Sequence, residues 1–320
     1  MIKKQICVIG AGYWGKNHLK TLNSLNALKG VVELDSVILE STLKTYPQIK
    51  GHTSIEEAIL KDYDGFTIAT PAKTHFEIAK KIIKSGKNLL IEKPLTLSIE
   101  EAEELVYLTE ENNVNVMVGH VLLFHPAIIK IKKMIENGDI GNLQYIYSNR
   151  LNLGKVRTEE NVFWSFAPHD LAIFQYFTNS MPTNIQAKGS TFLQKGIPDS
   201  TLTQLEYKNG VKGHIFVSWL HPFKEHRLVV IGSEAMISFE DSLDDKPLKF
   251  YSKKFDLNYG VPEKVDGPVE LIPYEKRMPL EIELEYFLNH LMGKKPKISN
   301  IHHGLQVVRI LVEASQQILK

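Results

Sequence analysis

The chain has 320 residues, of which 43% are hydrophobic and 23% are charged, a composition typical of a folded enzyme rather than a fibrous or disordered protein. Lysine and arginine number 38 against 37 aspartates and glutamates, which leaves a net charge of +1. Neither sign forms a long block, so the charge pattern argues against a nucleic-acid partner.

The sequence gives no sign of a membrane span or a secretory signal. Its most apolar run, residues 114–124, is too short to cross a bilayer and is interrupted by polar residues. The single cysteine, Cys7, rules out an internal disulfide and lies in an apolar run, where a buried small side chain is expected. A reducing cytoplasm agrees with this usage, and we expect a cytoplasmic protein.

The first predicted strand, Ile6–Ile9, runs directly into a glycine-rich turn, and a helix is expected over residues 18–28. This order is the fingerprint of a dinucleotide pocket. Its glycines allow a tight turn, close approach of the backbone to a pyrophosphate and close helix packing, while free N–H groups at the helix start bind phosphate. The residues of the turn that we expect to bind the cofactor are Gly10, Gly12, Tyr13, Trp14 and Gly15.

An acidic residue, Glu33, follows the second predicted strand, about 20 residues beyond the glycines, as expected for a ribose-binding carboxylate. Such a carboxylate accepts hydrogen bonds from the ribose 2′-OH and repels a 2′-phosphate, so NAD is favoured over NADP. Asp35, two positions further on, takes this place if the register differs. The alternative is a glycine turn that holds no ligand.

Short apolar strands and helices alternate through the first 120 residues. The other strands predicted in this half are 31–34, 49–53, 66–69, 89–91 and 114–118. Ser54 with Glu57, and Ser98 with Glu101, predict capped helix starts. Gly86 marks the end of a further helix. The alternation is typical of an α/β fold, so residues 1–120 are expected to form a doubly wound parallel sheet of the Rossmann type.

After residue 120 the pattern changes to strands joined by short turns. We predict helices over 127–136, 280–292 and 301–319, and strands at 143–153, 185–192, 201–207, 211–219, 227–231, 236–240 and 248–252. Residues 121–320 are therefore expected to form an α+β domain on an open antiparallel sheet. Because an uncovered sheet face usually needs a partner, we expect a homodimer or homotetramer formed through this sheet.

Two loops follow strands of the predicted parallel sheet, at the edge where such sheets bind ligands. In the first loop, Thr70 and Pro71 are expected to flank the dinucleotide. His75, at the end of that loop, either contacts the cofactor or packs at the start of a helix.

The second loop contains Glu92-Lys93-Pro94. Hydride transfer from an alcohol requires removal of the hydroxyl proton, and Lys93 can accept it if burial and a nicotinamide cation lower the pKa of its amine. A cis peptide at Pro94 would aim this lysine. The alternative is that Glu92 and Lys93 form an ordinary solvated ion pair.

GAGYWG, TPAKTH and EKPLTLS, in this order and spacing, resemble the Gfo/Idh/MocA oxidoreductase family along essentially the whole chain. The resemblance implies that Lys93 lies beside the nicotinamide and the substrate, with Glu92 also at the cofactor. It further implies a catalytic histidine at a helix start in the second domain. The matching residues here are Pro168-His169-Asp170, which makes His169 the acid/base partner of Lys93.

Two departures from the family pattern bear on the substrate. Ser165 stands four residues before His169, where the inositol-type members have an aspartate. Asp170 either orients His169 or has a structural role. The segment 118–126 also lacks the arginine usual before its phenylalanine, so a polar anchor for simple polyols is missing.

A polar segment, residues 147–157, provides the remaining substrate candidates. Strand alternation places Arg150 and Asn152 on one face, with Arg157 just beyond, and arginine can grip a diphosphate with two hydrogen bonds. The alternative is a sheet face exposed to solvent. The pattern RLNLGKVR followed by APHD resembles the nucleotide-sugar 3-dehydrogenase branch of the family.

We therefore expect an NAD-dependent enzyme that oxidises a ring hydroxyl, at C3, of a UDP-N-acetylglucosamine-type sugar. The substrate-binding residues expected are Lys93, Arg150, Asn152, Arg157 and His169. The alternatives are a dehydrogenase of a free sugar or cyclic polyol and a non-catalytic NAD-binding regulator. No metal site is expected, since His302 and His303 lack partners at ligand spacing.

Overall fold

The computed structural model describes residues 4–154, 156–158, 160–291 and 293–318. The chain divides into two compact units, one formed by Met1–Phe124 with Met278–Arg309 and the other by His125–Arg277 with Ile310–Lys320. The chain thus enters the second unit at residue 125 and later returns to the first. No sequence pattern signals this return, and the division at residue 120 stays a prediction.

The first unit contains a six-stranded parallel sheet. Its strands are β1 (Ile6–Ile9), β2 (Leu28–Val32), β3 (Lys50–His52), β4 (Gly65–Ile68), β5 (Asn88–Glu92) and β6 (Val116–Gly119). Their spatial order is β3-β2-β1-β4-β5-β6, and all neighbouring strands are parallel. This order confirms the predicted Rossmann sheet. It brings the carboxyl ends of β1, β4 and β5 next to one another, where ligands of such sheets bind.

The helices have the following bounds in chain order: α1 (Tyr13–Ser24), α2 (Ser36–Thr45), α3 (Ile55–Ile59), α4 (His75–Lys84), α5 (Ile99–Glu111), α6 (Pro126–Glu136), α7 (Val162–Thr178), α8 (Pro279–Asn289) and α9 (Ile301–Ile318). Both predicted serine caps are confirmed: Ser54 accepts a hydrogen bond from the N–H of Glu57, and Ser98 from that of Glu101. Within the described residues, no helix combines the length and apolar character that a membrane span needs.

Helix α1 begins five residues earlier than predicted, directly at the glycine turn. Residues 25–28 instead lead into β2, because Ala27 already donates its N–H to the carbonyl of Leu22 and turns the chain. The central strands β1 and β4 are fully buried, as expected for a sheet covered on both faces, whereas the edge strand β3 is largely exposed. Cys7 is 0% exposed, and burial raises the pKa of its thiol, which confirms the interpretation of a buried small side chain.

The second unit is built on an eight-stranded sheet. Its strands are β7 (Leu143–Leu151), β8 (Pro182–Ser190), β9 (Ser200–Tyr207), β10 (Lys212–Ser218), β11 (Glu225–Gly232), β12 (Met236–Glu240), β13 (Leu248–Tyr251) and β16 (Val269–Leu271), in the order β16-β13-β12-β11-β7-β10-β9-β8. Neighbouring strands are antiparallel, as predicted, whereas β7 and β10 at the centre are parallel. A separate hairpin pairs β14 (Lys254–Asn258) with β15 (Val261–Val265).

Helix α7 contradicts the expectation that a helix begins near Pro168. It begins at Val162, because the side chain of Asn161 accepts a hydrogen bond from the N–H of Trp164 and caps the first turn. Pro168 lies inside the helix, where it removes one backbone donor without ending the helix. His169 therefore lies in the middle of a long helix and not at its start.

Candidate active site

The turn between β1 and α1 has the shape that a pyrophosphate needs. Gly10 has a φ of 89°, which favours glycine, and a Cβ on Gly15 would clash with the carbonyl oxygen of Gly10. A Cβ on Gly12, in contrast, would meet no atom within 4 Å. Gly10 and Gly15 thus serve the fold of the turn, while Gly12 leaves open space through which the backbone can approach a ligand.

A cavity of about 270 Å³ adjoins this turn. Its lining includes residues expected to bind the cofactor: Gly10, Gly12, Glu33, Thr70 and Pro71. The apolar side chains of Leu34, Ile55 and Ile78 also line it and suit the flat face of a base. The cavity therefore fits the adenosine part of a dinucleotide.

Glu33 and Asp35 have different roles. The Glu33 carboxylate accepts hydrogen bonds from the N–H groups of Ala11 (2.8 Å) and Asp35 (3.1 Å) and keeps lone pairs for ribose hydroxyls. The Asp35 carboxylate caps α2 through the N–H groups of Val37 and Ile38. Glu33 is therefore the carboxylate placed at the cavity, and Asp35 is a helix cap.

These glycines give a matched pair of substitutions. Gly12→Ala is expected to leave the unfolding temperature unchanged but to weaken NAD binding about tenfold or more, because its methyl group projects into the open space. Gly15→Ala is expected to lower the unfolding temperature, because its methyl group overlaps a backbone carbonyl. Calorimetric titration with NAD and thermal unfolding measure both effects. Unchanged NAD affinity in Gly12→Ala would rule out a pyrophosphate at this turn.

His75 links the two loops that follow β4 and β5. It is 1% exposed, and its ring nitrogens lie 2.9 Å from the carbonyl of Thr70 and 2.8 Å from that of Pro94. Burial lowers the pKa of this imidazole, so the neutral ring donates to one carbonyl at a time. The geometry supports the packing interpretation of His75: it holds the loop of Thr70 against that of Pro94.

Glu92 is buried, so its carboxylate does not belong to a solvated ion pair. It is 7% exposed, and its carboxylate lies 2.7 Å from Nε2 of His18 and accepts the backbone N–H of Lys93 at 3.3 Å. A side chain at residue 119 would crowd this carboxylate, and Gly119 leaves the space free. Glu92 thus connects the Lys93 loop to α1, and the Lys93–Pro94 peptide is cis, as the sequence suggested.

Sequence reasoning missed three buried titratable groups near Lys93. His18 is 0% exposed, and its Nε2 contacts the Glu92 carboxylate. Its position three residues after Gly15 was the signal in the sequence that could have identified it. Burial, then His303 and Lys93, lower the pKa of His120. Burial, then the charge of Glu92, raise the pKa of Glu283. Both shifts favour the neutral forms of His120 and Glu283.

In the second unit, His169 is half-buried on α7 and its neighbour Asp170 is 2% exposed. Arg150 grips this carboxylate with two hydrogen bonds, from Nε at 2.9 Å and from Nη2 at 3.0 Å, and its own side chain is 11% exposed. Two N–H groups of the guanidinium are therefore engaged by Asp170, and a role of Arg150 at a diphosphate stays a prediction. Asp170 has a structural partner on β7.

The rest of the polar segment lies outside the strand. Asn152 follows the end of β7 and donates its backbone N–H to the carbonyl of Ser218. Arg157 is 57% exposed at its side chain and pairs with Glu160 at 3.1 Å, so it remains a candidate for an anionic ligand. Lys155 lies outside the described residues. Trp164 donates its indole N–H to Ser315, a packing contact.

Comparisons with known proteins agree with these two units. A model described as "Oxidoreductase family, NAD-binding Rossmann fold" matches residues 4–120, and a GFO/IDH/MocA C-terminal domain model matches residues 128–238. UDP-N-acetylglucosamine 3-dehydrogenase of Acidithiobacillus ferrooxidans is 27% identical over 99% of this chain and 100% of the relative. The scyllo-inositol 2-dehydrogenase (NAD(+)) of Bacillus subtilis is 28% identical over 72% of each chain.

A solved structure shares the fold over the whole chain. UDP-N-acetylglucosamine 3-dehydrogenase GnnA from Acidithiobacillus ferrooxidans superposes with a TM-score of 0.88, covering 100% of this chain and 98% of that one. In this superposition 23% of the residues are identical, so the match describes the fold and not the substrate.

Proposed function

This chain belongs to the Gfo/Idh/MocA family of NAD-binding oxidoreductases, and we propose that it oxidises a ring hydroxyl, at C3, of a UDP-N-acetylglucosamine-type nucleotide sugar. The observation that carries the proposal is the full-length similarity to a UDP-N-acetylglucosamine 3-dehydrogenase. The inositol dehydrogenase match covers 72% of the chain, and an inositol-type dehydrogenase is the second candidate.

We propose the following division of roles. When bound, NAD would supply the hydride acceptor of the reaction. Lys93 accepts the hydroxyl proton, and His169 acts as its acid/base partner. Glu92 and His18 hold the backbone of the lysine loop in place. Glu33 binds the adenosine ribose, and the glycine turn binds the pyrophosphate.

NAD is proposed over NADP because of the charge at Glu33. Its carboxylate borders the cavity and already accepts the N–H groups of Ala11 and Asp35, so its orientation is fixed. A 2′-phosphate at this point would meet a like charge. A ribose diol would instead find free acceptor lone pairs.

Three features support a nucleotide sugar over a simple polyol. Residue 165 is a serine, 5% exposed, where inositol-type members have an aspartate, and the segment 118–126 lacks their arginine. Arg157 offers an exposed cation to a diphosphate. With Arg150 engaged by Asp170, we propose Asn152 and Arg157 as the substrate contacts of this segment, together with Lys93 and His169.

A substrate panel tests the proposed function. With NAD present, UDP-N-acetylglucosamine is expected to give NADH and a keto sugar, whereas scyllo-inositol, myo-inositol and glucose are expected to react at least about tenfold more slowly in kcat/KM. A preference for an inositol would favour the second candidate. If NAD binds but no compound in the panel reduces it, the regulator alternative is favoured.

We also propose that two or four copies assemble through the eight-stranded sheet. Burial alternates along β7, β9 and β10, so one face is covered and the other is partly exposed. On the exposed face, the rings of Tyr147 and His214 stack with centroids 5.1 Å apart. A cytoplasmic location is part of the proposal, and light scattering measures the number of copies.

A further inference from the structure

Helix α7, which carries His169, is fixed at its start, middle and end. Near the start, Trp164 donates its indole N–H to Ser315 at 2.9 Å. At the end, Lys132 donates to the side chain of Asn179 at 3.1 Å. In the middle, Asp170 makes the paired hydrogen bonds with Arg150 on β7. This middle contact joins two opposite charges, and Asp170 directly follows His169 in the sequence.

We infer that Arg150 and Asp170 form a positioning pair for His169, which holds α7 against β7 and keeps the local charge beside the imidazole balanced. The inference rests on the proposed function, since it assumes that His169 exchanges a proton during turnover. It assigns Arg150 to the acid/base machinery instead of to a phosphate. Neither residue is a catalytic residue in this inference, because each acts through His169.

Burial makes the balance of charge important. The side chains of Arg150 and Asp170 are 11% and 2% exposed, so water screens their charges poorly. A buried pair of this kind is tolerated as a unit, whereas loss of one partner leaves an uncompensated charge. We expect the remaining charge to act on the imidazole at the preceding position of α7, because a nearby charge changes which protonation state is favoured.

A neutral histidine also contacts Arg150. His226 lies directly opposite Arg150 in the β11–β7 register, and its Nδ1 is 3.4 Å from Nη1 of Arg150. Burial, and then the positive charge of Arg150, lower the pKa of His226 to about 3. At neutral pH this ring therefore accepts from the guanidinium without adding a charge.

The other charged groups around the pair form few direct contacts with it. The negative charge of Asp241 interacts electrostatically with Arg150 and His226, and the positive charge of Lys224 interacts with His226. Lys246 donates a hydrogen bond to Asp241 at 2.7 Å. Lys132 comes from α6 and contacts the far end of α7. Asp199 precedes β9 near the start of α7, and β9 and β10 turn uncharged side chains to their buried face: Thr201, Thr203, Ile215 and Val217.

Removing either partner is expected to change the pH dependence in opposite directions. Arg150→Met leaves the Asp170 carboxylate, which favours the protonated imidazole, so the acidic limb of kcat/KM is expected to move up by about one pH unit. Asp170→Asn leaves the guanidinium, which disfavours that form, so the limb is expected to move down by about the same amount. Arg150→Lys keeps the charge and is expected to restore the wild-type limb.

A double variant and two helix controls separate charge from loss of packing. Arg150→Met with Asp170→Leu removes both charges and, as an apolar replacement of a buried pair, is expected to fold and to restore the limb. Lys132→Met and Ser315→Ala each break another anchor of α7. They are expected to lower the unfolding temperature without moving the limb.

The same shifts can be measured without turnover, which keeps this inference separate from the proposed function. An NMR titration of the resting protein follows the His169 ring, whose signal is assigned by its loss in His169→Gln. Opposite shifts in Arg150→Met and Asp170→Asn support the positioning pair even if no sugar in the panel reacts. Shifts in one direction, or none beyond those of Lys132→Met, would overturn it.

Discussion

Lys93→Met is expected to lower kcat by about 10²–10⁴-fold, the range typical for loss of a general base, while NAD affinity stays within about twofold of wild type. Methionine keeps most of the side-chain length and volume but cannot accept a proton. The backbone N–H of residue 93 still donates to Glu92, so the loop is expected to keep its shape. Stopped-flow NADH formation and calorimetric NAD titration measure the two quantities.

Lys87 provides the matched control for this substitution. It directly precedes β5, the strand that Lys93 follows, and is half-buried in the same unit. Its ammonium group donates a hydrogen bond to the carbonyl of Tyr63 at 3.0 Å. Lys87→Met removes a lysine of similar exposure and is expected to cost stability but to leave kcat unchanged. Full turnover in Lys93→Met would remove the proposed role of the lysine, and an equal loss in both variants would indicate a structural effect.

Glu33→Gln is expected to change the cofactor preference. The amide removes the charge that repels a 2′-phosphate but keeps a carbonyl oxygen for the N–H of Ala11, so the glycine turn is retained. NAD is expected to bind about tenfold more weakly, because bonds to charged acceptors are the stronger ones. The ratio of kcat/KM for NADP to that for NAD is expected to rise roughly 10²-fold.

Asp35→Asn is the control for Glu33, since both carboxylates lie after β2. Asp35 caps α2 through the N–H groups of Val37 and Ile38, and asparagine is also a good cap. This variant is therefore expected to leave both the stability and the cofactor preference nearly unchanged. A change of preference in Asp35→Asn, with none in Glu33→Gln, would mean that the register of the ribose-binding carboxylate is off by two residues.

The parallel sheet was predictable because its signals are local. The strand β1 and the glycines of its turn are adjacent in sequence, and the hydroxyl caps at Ser54 and Ser98 act on residues three positions away. The antiparallel sheet was predictable for the same reason, because buried and exposed residues alternate along its strands and short turns join them. The parallel pair at its centre was not predictable, since 60 residues of sequence separate the end of β7 from the start of β10.

The sequence did not predict several contacts that join residues distant in the chain. Arg150 has the composition and place of an anion-binding residue, yet its partner Asp170 comes from a helix packed on the same strand. Pro168 is compatible with a helix start, but Asn161 supplies the cap seven residues earlier. The contact of Glu92 with His18 depends on the packing of α1 and has no local signal in the sequence.

The most direct test is the structure of a complex of this protein with NAD and UDP-N-acetylglucosamine. The proposed mechanism requires Nζ of Lys93 and a ring nitrogen of His169 to lie within about 2.6–3.2 Å of the same C3 hydroxyl, directly or through one water. The same complex is expected to place the hydrogen of C3 over the nicotinamide ring. A sugar bound with another carbon at the ring, or with the lysine and the imidazole directed at different groups, would contradict the mechanism.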